Sequence, residues 1–192
     1  MLSRLAACLV DRQVMDGIIA KEDQGLYTYG YEVLFLQLVN ILLAVAVAAV
    51  FDSWAVMAVF LVTFVPLRCF CGGFHAKNGW RCACVSVAVE AGVCALMRQV
   101  HVHHSEEVEI LMLILSGALI YTLAPVEDRN KPLEEEEFDR FGRVAFGIWF
   151  VLTVFWCVLY FVSDYLGFVV ALAQSIVALM MVAGYVKNAV RA

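Results

Sequence analysis

The 192 residues are 64% apolar and only 16% charged, with a mean hydropathy of +0.85, well beyond the apolar share of soluble domains. A single water-soluble core is thereby excluded, and at roughly 20 residues per helical span the length allows about six spans, short loops and no appended soluble domain. The net charge of −5 decides little, because in a membrane protein the placement of charge matters more than its sum; no nucleic-acid partner is expected.

Residues 1–29 alternate apolar positions (Leu2, Leu5, Leu9, Val14, Ile18) with charge at helical spacing. This predicts an N-terminal amphipathic helix ending near Gln24 and Gly25, either lying in the membrane surface or packed on the bundle as a soluble-type helix. Arg4, Asp11, Arg12 and Asp16 interrupt the apolar core that a cleavable signal peptide would need.

The six-span bundle is expected over 30–186. Its spans fall at 31–51, closed by Asp52 and Ser53, and at 54–67, where Pro66 should bend or stop the last turn. The next two fall at 82–100 and 108–124, the latter stopped by Pro125. After a polar loop at 126–143 come 144–162, a tight turn at Ser163 and Asp164, and a sixth span running to about 186. No internal repeat or low-complexity linker divides the chain, so 1–192 reads as one all-α polytopic membrane domain.

Cation placement predicts the orientation. Of the 13 Lys and Arg residues, six spans put all but Arg98 on the side of the termini and of the second and fourth loops. The opposite side carries Asp52, Glu106, Glu107, Glu109 and Asp164. Both termini and the loop around residues 68–84 are therefore expected in the cytoplasm.

That loop concentrates the chemistry. Between Arg68 and Cys84 stand Cys69, Cys71, Cys82 and Cys84, a histidine, three cations and the glycines Gly72, Gly73 and Gly79. Asn78-Gly79 is a turn dipeptide and a suitable helix start, which puts Cys82 in a first turn, where the helix dipole and the nearby Arg68, Lys77 and Arg81 favour a thiolate. His75 supplies an imidazole with an ordinary pKa suited to acid and base work. Seven residues separate the two, roughly 10 Å on a continuous helix, so the chain must turn for them to meet. Cys84, two residues on, falls on nearly the opposite helix face.

The same atoms admit a rival reading, in which Cys69, Cys71, His75, Cys82 and Cys84 form a thiolate-rich metal site. Cys-x-Cys is tighter than the usual structural zinc spacing, and no metal or other cofactor is expected. A metal carrier or a peptide exporter is the alternative function, although an exporter should show paired repeats or broken helices. Cys8, Cys94 and Cys157 lie in apolar surroundings and read as small buried hydrophobes. No cysteine spacing suggests a secreted disulfide framework. His101, His103 and His104 are assigned no role.

The pattern Arg68-x4-Gly73-x-His75-Ala76-x5-Cys82 on a chain of this size and hydropathy resembles the AgrB (accessory gene regulator B) family, membrane cysteine endopeptidases that process quorum-sensing propeptides of Gram-positive bacteria. Gly30-x-Glu32 and the segment Ala124-Pro125 with Lys131-Pro132 fit the same family. The resemblance implies that Cys82 is the nucleophile and His75 the base, with Arg68 and Gly73 supporting the site. It implies an AgrD-like propeptide as partner, whose C-terminal tail is released through a thioester acyl-enzyme. An internal Cys or Ser would then close a thiolactone or lactone ring. The resemblance also allows a homodimer.

Two carboxylates compete to orient His75. Glu32 enters the first span level with the loop, whereas Glu90 lies eight residues beyond Cys82, roughly 12 Å deeper, where a carboxylate is usually paired; Glu32 is preferred. Arg68 either stabilises the oxyanion or holds an acidic tail, or else anchors the span end by snorkelling. The run Glu134 to Glu137 departs from the basic loop of many relatives and reads as a solvated face.

Overall fold

The structure, a computed structural model, describes residues 2–73, 79–99, 106–126 and 135–190. Its elements are α1 (Leu2–Met15), α2 (Gln24–Phe51), α3 (Trp54–Cys71), α4 (Gly79–Gln99), α5 (Glu106–Leu123), α6 (Glu135–Val162) and α7 (Asp164–Ala189), with a 3-10 turn at Lys21–Asp23 before α2. Among the described residues, five helices are long and apolar enough to cross a membrane: α2, α3, α4, α6 and α7. α5 coincides with the fourth expected span, but Glu106, Glu107 and Glu109 fill its first turn.

Two hairpins fix the alternation of the helices. Asp52 takes a left-handed conformation (φ 47°, ψ 46°) and its amide returns to the carbonyls of Ala48 and Ala49, closing α2 as left-handed caps do. α3 begins two residues later. At the other hairpin Ser163 caps α7, its hydroxyl accepting from the Leu166 amide at 3.4 Å. In consequence α3, α5 and α7 run one way, and α2, α4 and α6 the other. The ends at which α3, α5 and α7 finish are here termed the site end, the opposite ends the far end.

Several boundaries differ from the sequence expectation, each for a local reason. Pro66 lies inside α3 and the helix continues to Cys71; proline deletes one backbone hydrogen bond, which a packed membrane helix tolerates. α6 begins at Glu135, inside the run expected as solvated loop, because acidic residues favour a helix N-terminus. The N-terminal amphipathic segment splits: α1 ends at Met15, and α2 starts at Gln24. α1 packs on α2 through buried Ala6 and Val10. Gln13 donates to the Tyr31 hydroxyl at 2.9 Å, and Gln24 donates to Asp11 at 2.6 Å. Leu5 and Leu9 stay exposed on its other side.

Two clusters form the interior. The outer one, in the far half, gathers Ala44 and Ala48 of α2, Met57 and Phe60 of α3, Cys94 and Met97 of α4, and Val169 and Ala173 of α7. The other, at the site end, joins Leu67 and Cys71 of α3 with Ile120, Val126, Ala145, Leu152, Val177 and Met181. α7 is central to both, and its buried face is rich in small residues (Gly167, Ala171, Ala173, Ala178, Gly184) that let helices approach closely. Hydroxyls within the helices turn back on their own backbone: Ser116, Thr122, Thr153 and Ser175 donate to carbonyls three or four residues earlier, satisfying themselves where water is absent.

Candidate active site

The last turn of α3 delivers Arg68 and then Gly72 and Gly73, both with positive φ (67° and 112°). The chain pairs there with the segment that follows α5, whose Ala124–Pro125 peptide is cis. Gly72 and Val126 form a parallel bridge. The Val126 amide donates to the Cys71 carbonyl at 2.9 Å, and the Gly73 amide donates to the Val126 carbonyl at 3.2 Å. The fit is tight. A Cβ on Gly73 would lie 2.9 Å from Arg68 Nη1 and 3.0 Å from the Met180 carbonyl of α7, and one on Gly142 of α6 would lie 3.0 Å from the Ala124 carbonyl. α3, the segment after α5, α6 and α7 thus approach one another closely at the backbone, and Arg68 Nη1 lies beside Gly73.

Cys82 stands in the first turn of α4, half-buried, with a free thiol. Its thiol and the Arg68 guanidinium lie within electrostatic range of each other. The end of α3 and the start of α4 thus place a thiol within electrostatic reach of a cation. Neighbouring thiols differ in surroundings: Cys84 is exposed, Cys71 is buried in the site-end cluster, and Cys69 is exposed. Cys94 is buried as expected, but Cys8 and Cys157 lie on exposed faces, because α1 and α6 turn those sides away from the bundle.

Glu32 is half-buried on α2. Its height follows from helix register, because α2 and α4 run the same way and Ala44 and Cys94 share the outer cluster. Twelve residues back on each, roughly 18 Å, come Glu32 and Cys82, so both lie in the site half of their helices. Glu90 is buried farther up α4. His75 and Lys77 lie outside the described residues, as do His101, His103 and His104. Among the described residues no three His, Cys, Asp or Glu side chains converge as a metal would require.

Sequence reasoning did not assign the carbonyls of Val126 and Met180 to this site. Main-chain groups carry no residue signature, and the available signal was Ala124-Pro125 beside the paired glycines.

Similarity to known proteins agrees with the membrane fold. Protein FsrB of Enterococcus faecalis is 25% identical over 132 residues, 67% of this chain. The match spans only 54% of FsrB. No solved structure matches the chain. The sequence model of Accessory gene regulator B (AgrB) matches residues 3–183, nearly the whole chain, and this membrane protein therefore belongs to the AgrB family.

Proposed function

We propose that this protein is a membrane cysteine endopeptidase of a quorum-sensing system, which removes the C-terminal tail of an AgrD-like propeptide and promotes its cyclisation. The observation that carries the reading is the Cys82 thiol at a helix start within electrostatic reach of Arg68, in a chain of the AgrB family.

In this reading the Cys82 sulfur attacks the scissile carbonyl carbon, and the tetrahedral oxyanion is stabilised by Arg68 and nearby amides. The carbon–nitrogen bond then breaks, His75 protonates the departing amine, and the acyl group remains on Cys82 as a thioester. A Cys or Ser side chain within the same peptide attacks that carbonyl, loses its proton, closes the ring and returns Cys82 as a thiol. Exchange of an amide for a thioester is uphill, so turnover depends on holding the peptide, excluding water and removing the product. Glu32, in the site half of α2, orients His75, and Lys77 adds positive charge. Both termini and the site face the cytoplasm, where thiols stay reduced.

Co-expression with the propeptide tests the assignment. Cys82→Ala and His75→Ala should abolish tail release, Cys84→Ala should retain it, and Cys82→Ser should hold uncleaved precursor through detergent extraction. Full release by Cys82→Ala would overturn the reading.

A further inference from the structure

One ionisable group on α4 takes no part in this chemistry. Glu90 is 5% exposed, and its Oε2 has no hydrogen-bond partner. Burying a polar group without a partner is costly, and carboxyls at membrane depth ordinarily pair or mark a ligand path. The adjoining residues Val89, Val93 and Cys94 belong to the outer cluster or pack against it and offer no strong donor.

Two further features say what the position serves. Cys82, Ser86 and Glu90 recur at four-residue intervals and so lie along one side of α4, with Glu90 roughly 12 Å deeper than Cys82. In addition, the packing parts toward the site end. The outer cluster draws on α2, α3, α4 and α7, whereas among the described residues the site-end cluster contains none of α2 or α4. The buried side chains of α2 are Ala44 and Ala48 alone, both in its far half. Among the described residues the α2–α4 pair therefore shares a core with the other helices in the far half and contributes none to the site-end core, although Ala83 of α4 is buried there, and Glu90 stands next to the first α4 residues of the shared core.

We propose that the site half of α4 forms one wall of a groove for extended peptide, and that Glu90 closes its deep end by accepting a hydrogen bond from a donor side chain of the substrate. This rests on Cys82 being the nucleophile. An extended chain advances about 3.3 Å per residue, so 12 Å of groove places that donor three or four residues before the residue whose carbonyl Cys82 attacks. The acyl side is the relevant one because it alone stays on the enzyme through both half-reactions. A lysine ammonium or a serine hydroxyl meets the requirement, an aliphatic side chain leaves the carboxyl unpaired, and an acidic one is repelled.

The test uses full-length protein in detergent and the peptidyl chloromethyl ketones Ac-Xaa-Leu-Leu-Phe-CH2Cl, with Xaa as Lys, Ser, Leu or Glu. The Cys82 sulfur displaces chloride and forms a carbon–sulfur bond. Labelling of Cys82 is followed by mass spectrometry, and each rate is divided by that of iodoacetamide for the same variant. Wild type should label at least about fivefold faster with Lys or Ser than with Leu, and slowest with Glu. In Glu90→Leu the Lys-to-Leu ratio should fall within twofold, and Glu90→Gln, an isosteric acceptor, should keep the Ser preference. Equal rates across the series in wild type overturn the proposal, a result that needs no variant to fold. The same order of rates in wild type and Glu90→Leu overturns it too. If iodoacetamide modifies Cys82 but no peptidyl reagent does, the endopeptidase reading fails and this inference falls with it.

Discussion

Gly72 and Val126 face each other across the parallel bridge at the site end, so close that a Cβ on Gly72 would collide with the Val126 carbonyl group. Gly72 also has φ 67°, a conformation that costs other residues about 1–3 kcal/mol. Gly72→Ala should therefore destabilise the fold by at least that amount and displace Arg68 from Cys82, lowering tail release more than tenfold. Gly92→Ala is the control: its Cβ meets nothing within 4 Å, and alanine should gain about 0.5–1 kcal/mol in the helix. Thermal unfolding in detergent and a cleavage assay read both, and equal behaviour of the two variants would refute the role given to the bridge.

At the far end the Trp156 indole donates to Glu109 Oε2 at 2.6 Å, and the Tyr160 hydroxyl donates to Glu106. Glu109 is 1% exposed, so its carboxyl depends on such donors. Trp156→Phe keeps an aromatic side chain but removes the N–H and part of the ring volume, and the lost hydrogen bond alone should cost about 1–3 kcal/mol. A double-mutant cycle with Glu109→Gln should give a coupling of about 0.5–3 kcal/mol in detergent unfolding. A coupling near zero would mean that α5 and α6 are held together by other contacts alone.

The bundle was readable where polar residues interrupt long apolar runs, as at Asp52-Ser53 and Ser163-Asp164. It was less readable where two physical tendencies compete for one residue. Glu135, Glu136 and Glu137 suit both a solvated loop and an acidic helix start, and the chain makes them the first turn of α6. Pro66 is a helix breaker in water, yet α3 runs through it because neighbouring membrane helices support the chain. At the site, Arg68, Gly73 and Cys82 stood out as residue types at a spacing. The pairing of Gly72 and Gly73 with Val126 did not, since hydrogen bonds between backbones are indifferent to side-chain identity.

The proposed orientation has its own test. Asp52 lies at the far end and Asn188 at the site end of α7. In a variant otherwise free of cysteine, Asp52→Cys should react with a membrane-impermeant maleimide on intact cells. Asn188→Cys should react only after permeabilisation. The reverse pattern would place the site outside the cell and contradict a cytoplasmic peptidase.

Gly117 sits where α5 and α6 press together. A Cβ there would lie 2.6 Å from Trp149 Cε2, and the Trp149 indole donates to the adjacent Ser116 hydroxyl at 3.3 Å. Gly117→Ala must therefore push the ring aside, and overpacking of this kind costs about 1–3 kcal/mol. Trp149→Phe alone should also destabilise, because it removes ring volume and a hydrogen bond. The two changes together should cost less than the sum of the single losses, since the smaller ring leaves room for the new methyl. Gly147→Ala, with nothing within 4 Å of its Cβ, should be neutral or stabilising. Unfolding temperatures of the four variants in one detergent decide the matter, and strict additivity of Gly117→Ala and Trp149→Phe would show that the ring and the glycine are not in contact.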